Sequence, residues 1–347
     1  MSKKILHIAG CDKFIPPFIE LVKENLSFEQ HECLLTNGMD SHNLKDNKNV
    51  HLSNPAALSR LKHYALAIIK MHQAKKVILH GLFDIRLVTL LFFMPWLLKK
   101  CYWMMWGYDL YVYQLGERNW KWKVSEFFRR QAIKKMGFLV SGTTGDVDLA
   151  REWYGAKGVH IKCFNYPSNI YKEYDMPKKQ HTSINILLGN SADPSNNHLE
   201  VFDKLEAFKG QDVKIYTPLT YGNPDYAKSI IQQGKQRFGD KFEALTEHMP
   251  FNQYLEFLGK IDIAIFNHRR QQGFGNTITL LGLGKKVYLN SVSTLNGVFK
   301  EFELTTFDVN EVNIYLLDDD IAKQNIQKVK TAFSKESLVD SLAKWIQ

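Results

Sequence analysis

The chain has 347 residues, 45% hydrophobic and 23% charged, a balance that excludes disordered and collagen-like classes and leaves room for two domains of ordinary size. Four cysteines (Cys11, Cys33, Cys101, Cys163) lie far apart with no Cys-x-x-Cys pair, which argues against a structural zinc site or a dense disulfide framework and fits a reducing cytoplasm. The net charge of +9 sits in one half: residues 1–175 carry 25 Lys and Arg against 16 Asp and Glu, residues 176–347 carry 20 of each.

Two accounts of that excess stand: solvated surface lysines, or a first half that meets an anionic phospholipid surface or a pyrophosphate-bearing substrate. Nucleic acid is not an expected partner, since no binding module or Arg/aromatic ladder is found.

MSKKILHIAG reads as a first strand rather than a signal peptide, because Cys11-Asp12-Lys13 interrupts its apolar run. Short β-type runs then alternate with amphipathic segments, the pattern of parallel sheets with crossover helices. Strands are predicted at Lys4–Ile8, Glu32–Leu35, Lys76–Leu79, Tyr102–Met105, Phe138–Val140 and His160–Phe164. Helices are predicted at Phe14–Asn25, Pro55–Gln73, Ile85–Phe93, Arg118–Met136 and Gly145–Trp153. Leu87–Leu98, broken by Pro95, is too short to span a bilayer and fits either a core helix or a segment lying at a membrane interface.

The polar stretch from Tyr171 to Ser183 reads as a linker, after which the pattern restarts. Strands follow at Ile184–Leu188, Val213–Tyr216, Phe242–Leu245, Ile261–Phe266 and Lys286–Leu289. Helices follow at Asn197–Phe208, Pro224–Arg237, Asn252–Gly259, Thr277–Leu283, Asp319–Phe333 and Ser337–Ile346. The inferred architecture is α/β, two doubly wound parallel-sheet domains in tandem, 1–175 and 176–347, with the first domain as an alternative packing partner for the last helix. Ligands of such sheets bind beyond the strands' carboxyl ends, which puts the expected site in the cleft between the halves.

Five loops at strand ends carry the candidate residues. Gly189, Asn190 and Ser191 open a loop in which Ser195, Asn196 or Asn197 can cap the next helix and aim its amides at an anion. Thr217, Pro218 and Tyr221 suit one wall of a base or ribose pocket. The stretch NHRRQQGFGNT (267–277) precedes a helix expected to start near Gly275-Asn276-Thr277. Arg269 and Arg270 can bind a diphosphate, Gln271 and Gln272 add neutral donors and acceptors, and Gly273 and Gly275 keep side chains clear. Gly-Phe-Gly lacks the dinucleotide fingerprint, so no nicotinamide cofactor is expected. In the first half, His80 and Asp109 lie on neighbouring strand-end loops; Asp109 is either a base for a hydroxyl nucleophile or a loop cap, with His80 second.

HGLFD (80–84), WGYDLY (106–111), LLGNSADPSNNH (187–198) and RQQGFGNT (270–277) appear in the order found in bacterial glycosyltransferase family 56, which the chain resembles from about residue 77 to 290. Those enzymes attach 4-acetamidofucose from its TDP donor to an undecaprenyl-diphosphate-linked saccharide in enterobacterial common antigen assembly. The resemblance implies a GT-B fold with two Rossmann-like domains facing across a cleft, a nucleotide-sugar donor held mainly by the second domain, and a polyprenyl-diphosphate-linked acceptor approached from the first. It also implies no metal or other cofactor, and a peripheral position on the cytoplasmic face of the inner membrane. Residues 31–75, 112–135 and 291–347 depart from the family, leaving the sugar, TDP versus UDP, and inversion versus retention open. A nucleotide-sugar epimerase or hydrolase of the same fold, and a non-catalytic binder of anionic polymer, are the alternatives.

Overall fold

The computed structural model describes residues 4–36, 44, 47–53, 56–174 and 181–347. Pro55, the predicted start of one helix, and residues 175–180 of the predicted linker lie outside the described residues. The chain divides into two compact units, Met1–Ser168 with Lys335–Gln347, and Asn169–Ser334.

Among the described residues the first unit has seven strands: β1 Ile5–Gly10, β2 His31–Thr36, β3 Val50–Leu52, β4 Lys76–His80, β5 Cys101–Met104, β6 Phe138–Val140 and β7 Val159–Ile161. They form one parallel sheet in the order β3-β2-β1-β4-β5-β6-β7. The helices between them are α1 Ile15–Asn25, α2 Ala57–Gln73, α3 Ile85–Phe93, α4 Pro95–Leu98, α5 Tyr108–Leu115, α6 Trp120–Lys135 and α7 Thr144–Tyr154. Strands such as β4 and β5 are apolar on both faces because helices cover both, so their sequences read as runs rather than alternations. Trp103, at the centre of β5, is fully buried.

The second unit has six strands: β8 Ile184–Leu188, β9 Val213–Pro218, β10 Phe242–Leu245, β11 Ile263–Phe266, β12 Lys286–Leu289 and β13 Phe307–Asp308, in the order β10-β9-β8-β11-β12-β13. Its helices are α8 His198–Leu205, α9 Pro224–Phe238, α10 Phe251–Gly259, α11 Phe274–Gly282, α12 Leu295–Glu301 and α13 Asp319–Ala332. The last helix, α14 Lys335–Ile346, is part of the first unit, where the Lys76 ammonium binds the carbonyls of Trp345, Ile346 and Gln347. The strand order of each sheet reverses at one point, between β1 and β4 and between β8 and β11, which is where sheets of this kind ordinarily bind ligands.

Several expectations shift. Short edge strands β3 and β13, and helices α4, α5 and α12, stand where none was predicted. The Leu87–Leu98 segment is two helices broken at Met94-Pro95, with Leu87, Val88, Leu91, Leu97 and Leu98 in the core and only Phe93 and Trp96 turned to solvent.

Candidate active site

In the first unit the crevice between β1 and β4 is bordered by the loops after β1, β4 and β5. Gly81 (φ +78°) and Gly107 (φ +89°) turn the last two in conformations that other residues rarely adopt. Asp109, in the first turn of α5, is buried and ties these loops together. Its Oδ1 accepts the Trp106 amide (2.9 Å), and its Oδ2 accepts the Trp103 indole (2.6 Å) and the Leu82 amide (3.0 Å). Burial pushes the carboxyl up, and the three donors with Arg129 offset only part of that. Arg129 of α6 completes the tie by donating to the carbonyls of Leu82 (2.9 Å) and Asp109 (3.2 Å).

His80, the last residue of β4, belongs to a buried chain of rings on one face of the sheet. His31 Nδ1 lies 2.9 Å from His7 Nε2, His7 Nδ1 3.0 Å from His80 Nε2, and His80 Nδ1 2.8 Å from the Tyr166 hydroxyl. The Trp106 indole donates to that hydroxyl at 2.6 Å. Phe18 covers His7, His80 and Tyr166. Burial lowers His80 to about 3, His31 to about 4, and His7 well below the usual imidazole value, so all three rings are neutral.

Toward solvent, Trp106 stands between Phe14 and Phe83, ring centroids 5.3 and 5.8 Å away, with Phe83 half exposed. Asp12, just past β1, keeps an accessible position while its Oδ1 accepts the Phe14 amide (2.9 Å). Partial burial raises its carboxyl despite the Phe14 and Ile15 amides. The sequence reading passed over Asp12, Trp106 and Tyr166. A carboxylate immediately after the first strand of a doubly wound sheet was the signal available for the first of them.

In the second unit two loops converge past the ends of β8 and β11. Gly189 (φ +69°) is held so closely that a Cβ there would stand 2.5 Å from His198 Nε2 and 2.7 Å from Asn196 Oδ1. That Asn196 oxygen accepts the Asn190 amide (2.9 Å) and contacts His268 Nε2 (2.7 Å). Asn196 is therefore turned away from α8, and neither Ser195 nor Asn197 gives the helix a side-chain cap bond. Asn197 takes the N-cap position in a left-handed conformation (φ +51°), its amide reaching the carbonyls of Ser195 and Asn267, while Asp193 accepts the Ser195 amide (2.9 Å).

Gln272 joins the two loops, donating to Asn190 Oδ1 (2.9 Å) and accepting from the Ser195 hydroxyl (2.8 Å). The Arg270 side chain is 10% exposed, with Nε 3.3 Å from Ser195 Oγ and Nη2 3.5 Å from Asp193 Oδ2. Against burial, which raises it, Ser195 and the Arg270 charge hold the Asp193 carboxyl below the usual range.

The expected residues separate here. Asn190, Ser191, Asn196, Arg270, Gln272 and Gly273 come together, but Arg269 turns outward to Glu200 (2.7 Å). Gln271 offers its carbonyl to Arg270 (3.4 Å). Helix α11 starts one turn earlier than expected, at Phe274, because Gly273 (φ +70°) bends the chain into it. Gly275 and Asn276 thus lie in its first turn, to which the N-cap residue Gly273 gives no side-chain cap. Thr277 is buried, and its hydroxyl bonds back to the Gly273 carbonyl (3.0 Å).

Tyr221 is brought in by the Ala192 amide on its carbonyl (2.7 Å), and Gly222 packs against Ala192 so tightly that a Cβ would stand 2.5 Å from the Ala192 carbonyl carbon. Burial raises the Tyr221 phenol, with Ser191 and Arg270 opposing. Pro218 ends β9, and Thr217 is fully buried with its hydroxyl unpartnered among the described residues. Asp193, His268 and Tyr254, whose phenol burial raises and Asn276 meets, were not anticipated.

Two parallel sheets that share the order of their first six strands, each order reversing at one point, make the tandem Rossmann-like arrangement of the GT-B fold. Solved structures similar over nearly the whole chain bear this out. Anabaena HepE in complex with UDP and glucose has a TM-score of 0.70 at 12% identity, covering 99% of each chain. A glycosyltransferase from Rickettsia africae has 0.65 at 17% identity, covering 99% of this chain and 98% of its own. WaaG, a glycosyltransferase involved in lipopolysaccharide biosynthesis, has 0.54 at 10% identity, covering 99% and 95%. Residues 9–340 match the family described as 4-alpha-L-fucosyltransferase, glycosyl transferase group 56, and the chain belongs to that family. It is a glycosyltransferase.

Proposed function

We propose that the chain moves a 4-acetamido-deoxyhexose from a nucleoside-diphosphate donor, TDP by family resemblance, to a hydroxyl of a polyprenyl-diphosphate-linked saccharide at the cytoplasmic face of the inner membrane. One observation carries the donor assignment: the loops after β8 and β11 meet around an oriented Arg270 beside the uncapped first turn of α11. Guanidinium and helix amides suit the charge that builds on a leaving diphosphate. Tyr221 borders the same loops and suits the ribose or base, while Thr217, fully buried, lies behind that wall.

The first unit takes the acceptor. The Trp106 face, flanked by Phe14 and Phe83, gives a saccharide an apolar platform, and Asp12 beside it takes the hydroxyl proton as the glycosidic bond breaks. Asp109 and His80 act as positioning residues, since Asp109 accepts three protein hydrogen bonds and both His80 nitrogens contact neighbours in the buried chain.

Calorimetric titration with TDP, UDP and their monophosphates tests the donor site, followed by transfer from TDP- and UDP-sugars to a short synthetic polyprenyl-diphosphate saccharide. A diphosphate should bind more tightly than its monophosphate, and Arg270→Ala should cost ~2–4 kcal/mol of transition-state stabilisation. Failure of every diphosphate to bind, or unchanged turnover in Arg270→Ala, rejects the assignment.

A further inference from the structure

We propose that the outward side of α6 is a docking face for an anionic phospholipid surface. Helices packed on a sheet ordinarily turn charge to water and apolar residues inward. Helix α6 departs from that rule. Its buried side includes Glu126 and Arg129 with Ala132 and Ile133, whereas Trp120, Val124 and Phe127, 70%, 50% and 55% exposed, form a line at i, i+4 and i+7 facing solvent.

At 100° per residue, exposed Lys123 and Lys134 border one flank of that line and exposed Lys121 and Lys135 the other. The apolar surface continues beyond the helix. Phe127 meets Phe92 (centroids 5.6 Å), and the adjoining Phe93 and Trp96 are also exposed, with Lys99 behind them.

Charge selects the occupant. A second copy docking by the same face would set lysine flank against lysine flank, whereas anionic headgroups neutralise both flanks while the aromatic rings enter the interface. Among the described residues no helix is long and apolar enough to cross a membrane, so attachment through α6 is to a surface. The opposite side of α6 holds the crevice loops through Arg129, so a docked first unit has its crevice loops anchored to the membrane-bound helix. That geometry suits the lipid-linked acceptor proposed above, but the docking face stands without it.

Co-sedimentation of the full chain with vesicles of phosphatidylethanolamine containing phosphatidylglycerol, and with phosphatidylcholine alone, tests it. The wild-type chain should bind the anionic vesicles, less so at high salt, and only weakly the zwitterionic ones. Trp120→Ser with Phe127→Ser should lower binding at least about tenfold, and Lys123→Glu with Lys134→Glu should remove the preference for phosphatidylglycerol. Far-ultraviolet circular dichroism and the urea midpoint, unchanged in both variants, report an intact fold and keep this test separate from the donor assignment. Absence of vesicle binding, or equal binding by wild type and variants, overturns the proposal. So does a dimer in light scattering that the Trp120→Ser, Phe127→Ser chain loses, since a second copy is then the occupant.

Discussion

Asp109 and Asp12 are both raised by burial, yet they are different instruments. Asp109 has three protein donors on its two oxygens, so a substrate hydroxyl would have to displace one of them. Asp12 has an amide on Oδ1 and an exposed position at the end of β1. Replacing Asp109 by Asn puts an NH2 group where N–H donors point, leaving a buried donor without an acceptor; this should lower unfolding stability by ~1–3 kcal/mol, read as a drop in urea midpoint. Asp12→Asn keeps the carbonyl that accepts the Phe14 amide, so its midpoint should stay while transfer falls at least ~10²-fold. Wild-type transfer in Asp12→Asn removes it as the base, and an unshifted midpoint in Asp109→Asn contradicts the tie described for it.

At the scale of elements, the donor loop depends on how β8 turns into α8. Gly189→Ala sets a Cβ against His198 and Asn196 in a left-handed backbone, and Asn196 is the acceptor that orients Asn190 and His268. The substitution should therefore cost ~2 kcal/mol or more and abolish nucleotide binding, whereas Gly273→Ala, whose Cβ would stand 3.3 Å from Asn190 Nδ2, should keep a residue of it. Calorimetry on both variants decides, and nucleotide affinity surviving in Gly189→Ala would show that the turn is not what builds the site. Elements legible in the sequence were the mostly apolar runs, such as Ile184–Leu188 and the stretch ending in Ile263–Phe266, because a strand covered on both faces leaves a run rather than an alternation. β3 and β13, three and two residues long at sheet edges, carry too little pattern to stand out. Helix α5 was hidden because its first residues lie inside the polar WGYDLY block. Within the candidate site, two of the loops picked out in the sequence converge past β8 and β11, but neighbours such as Arg269 and Arg270 are chemically alike; only the backbone path sends one to Glu200 and the other to Asp193.

Across the whole molecule the two sheets share one topology and also one habit, histidines buried without charge beside the reversal point. His7, His31 and His80 in the first unit, and His198 and His268 in the second, are all lowered chiefly by burial, His198 to about 4 and His268 to about 3. A group whose folded value is depressed stabilises the fold fully above its unfolded value and less as pH falls toward the folded one. The window opens near the ordinary value of about 6.5 and, for His31, His80, His198 and His268, extends down to about 3–4, each ring contributing up to ~1.4 kcal/mol per pH unit within it. The raised carboxyls of Asp12, Asp109 and Glu126 act in the opposite sense, but with His63 of α2 also lowered by burial they are three against six, and the lowered Glu32 and Asp193 add to the loss at the acid end. Urea midpoints should accordingly fall between about pH 7 and about pH 5, before surface carboxylates titrate. Following tryptophan fluorescence and far-ultraviolet circular dichroism together guards against the two units unfolding separately. Midpoints that hold level or rise across that interval would mean that the imidazole chains are hydrated and titrate as they do in water.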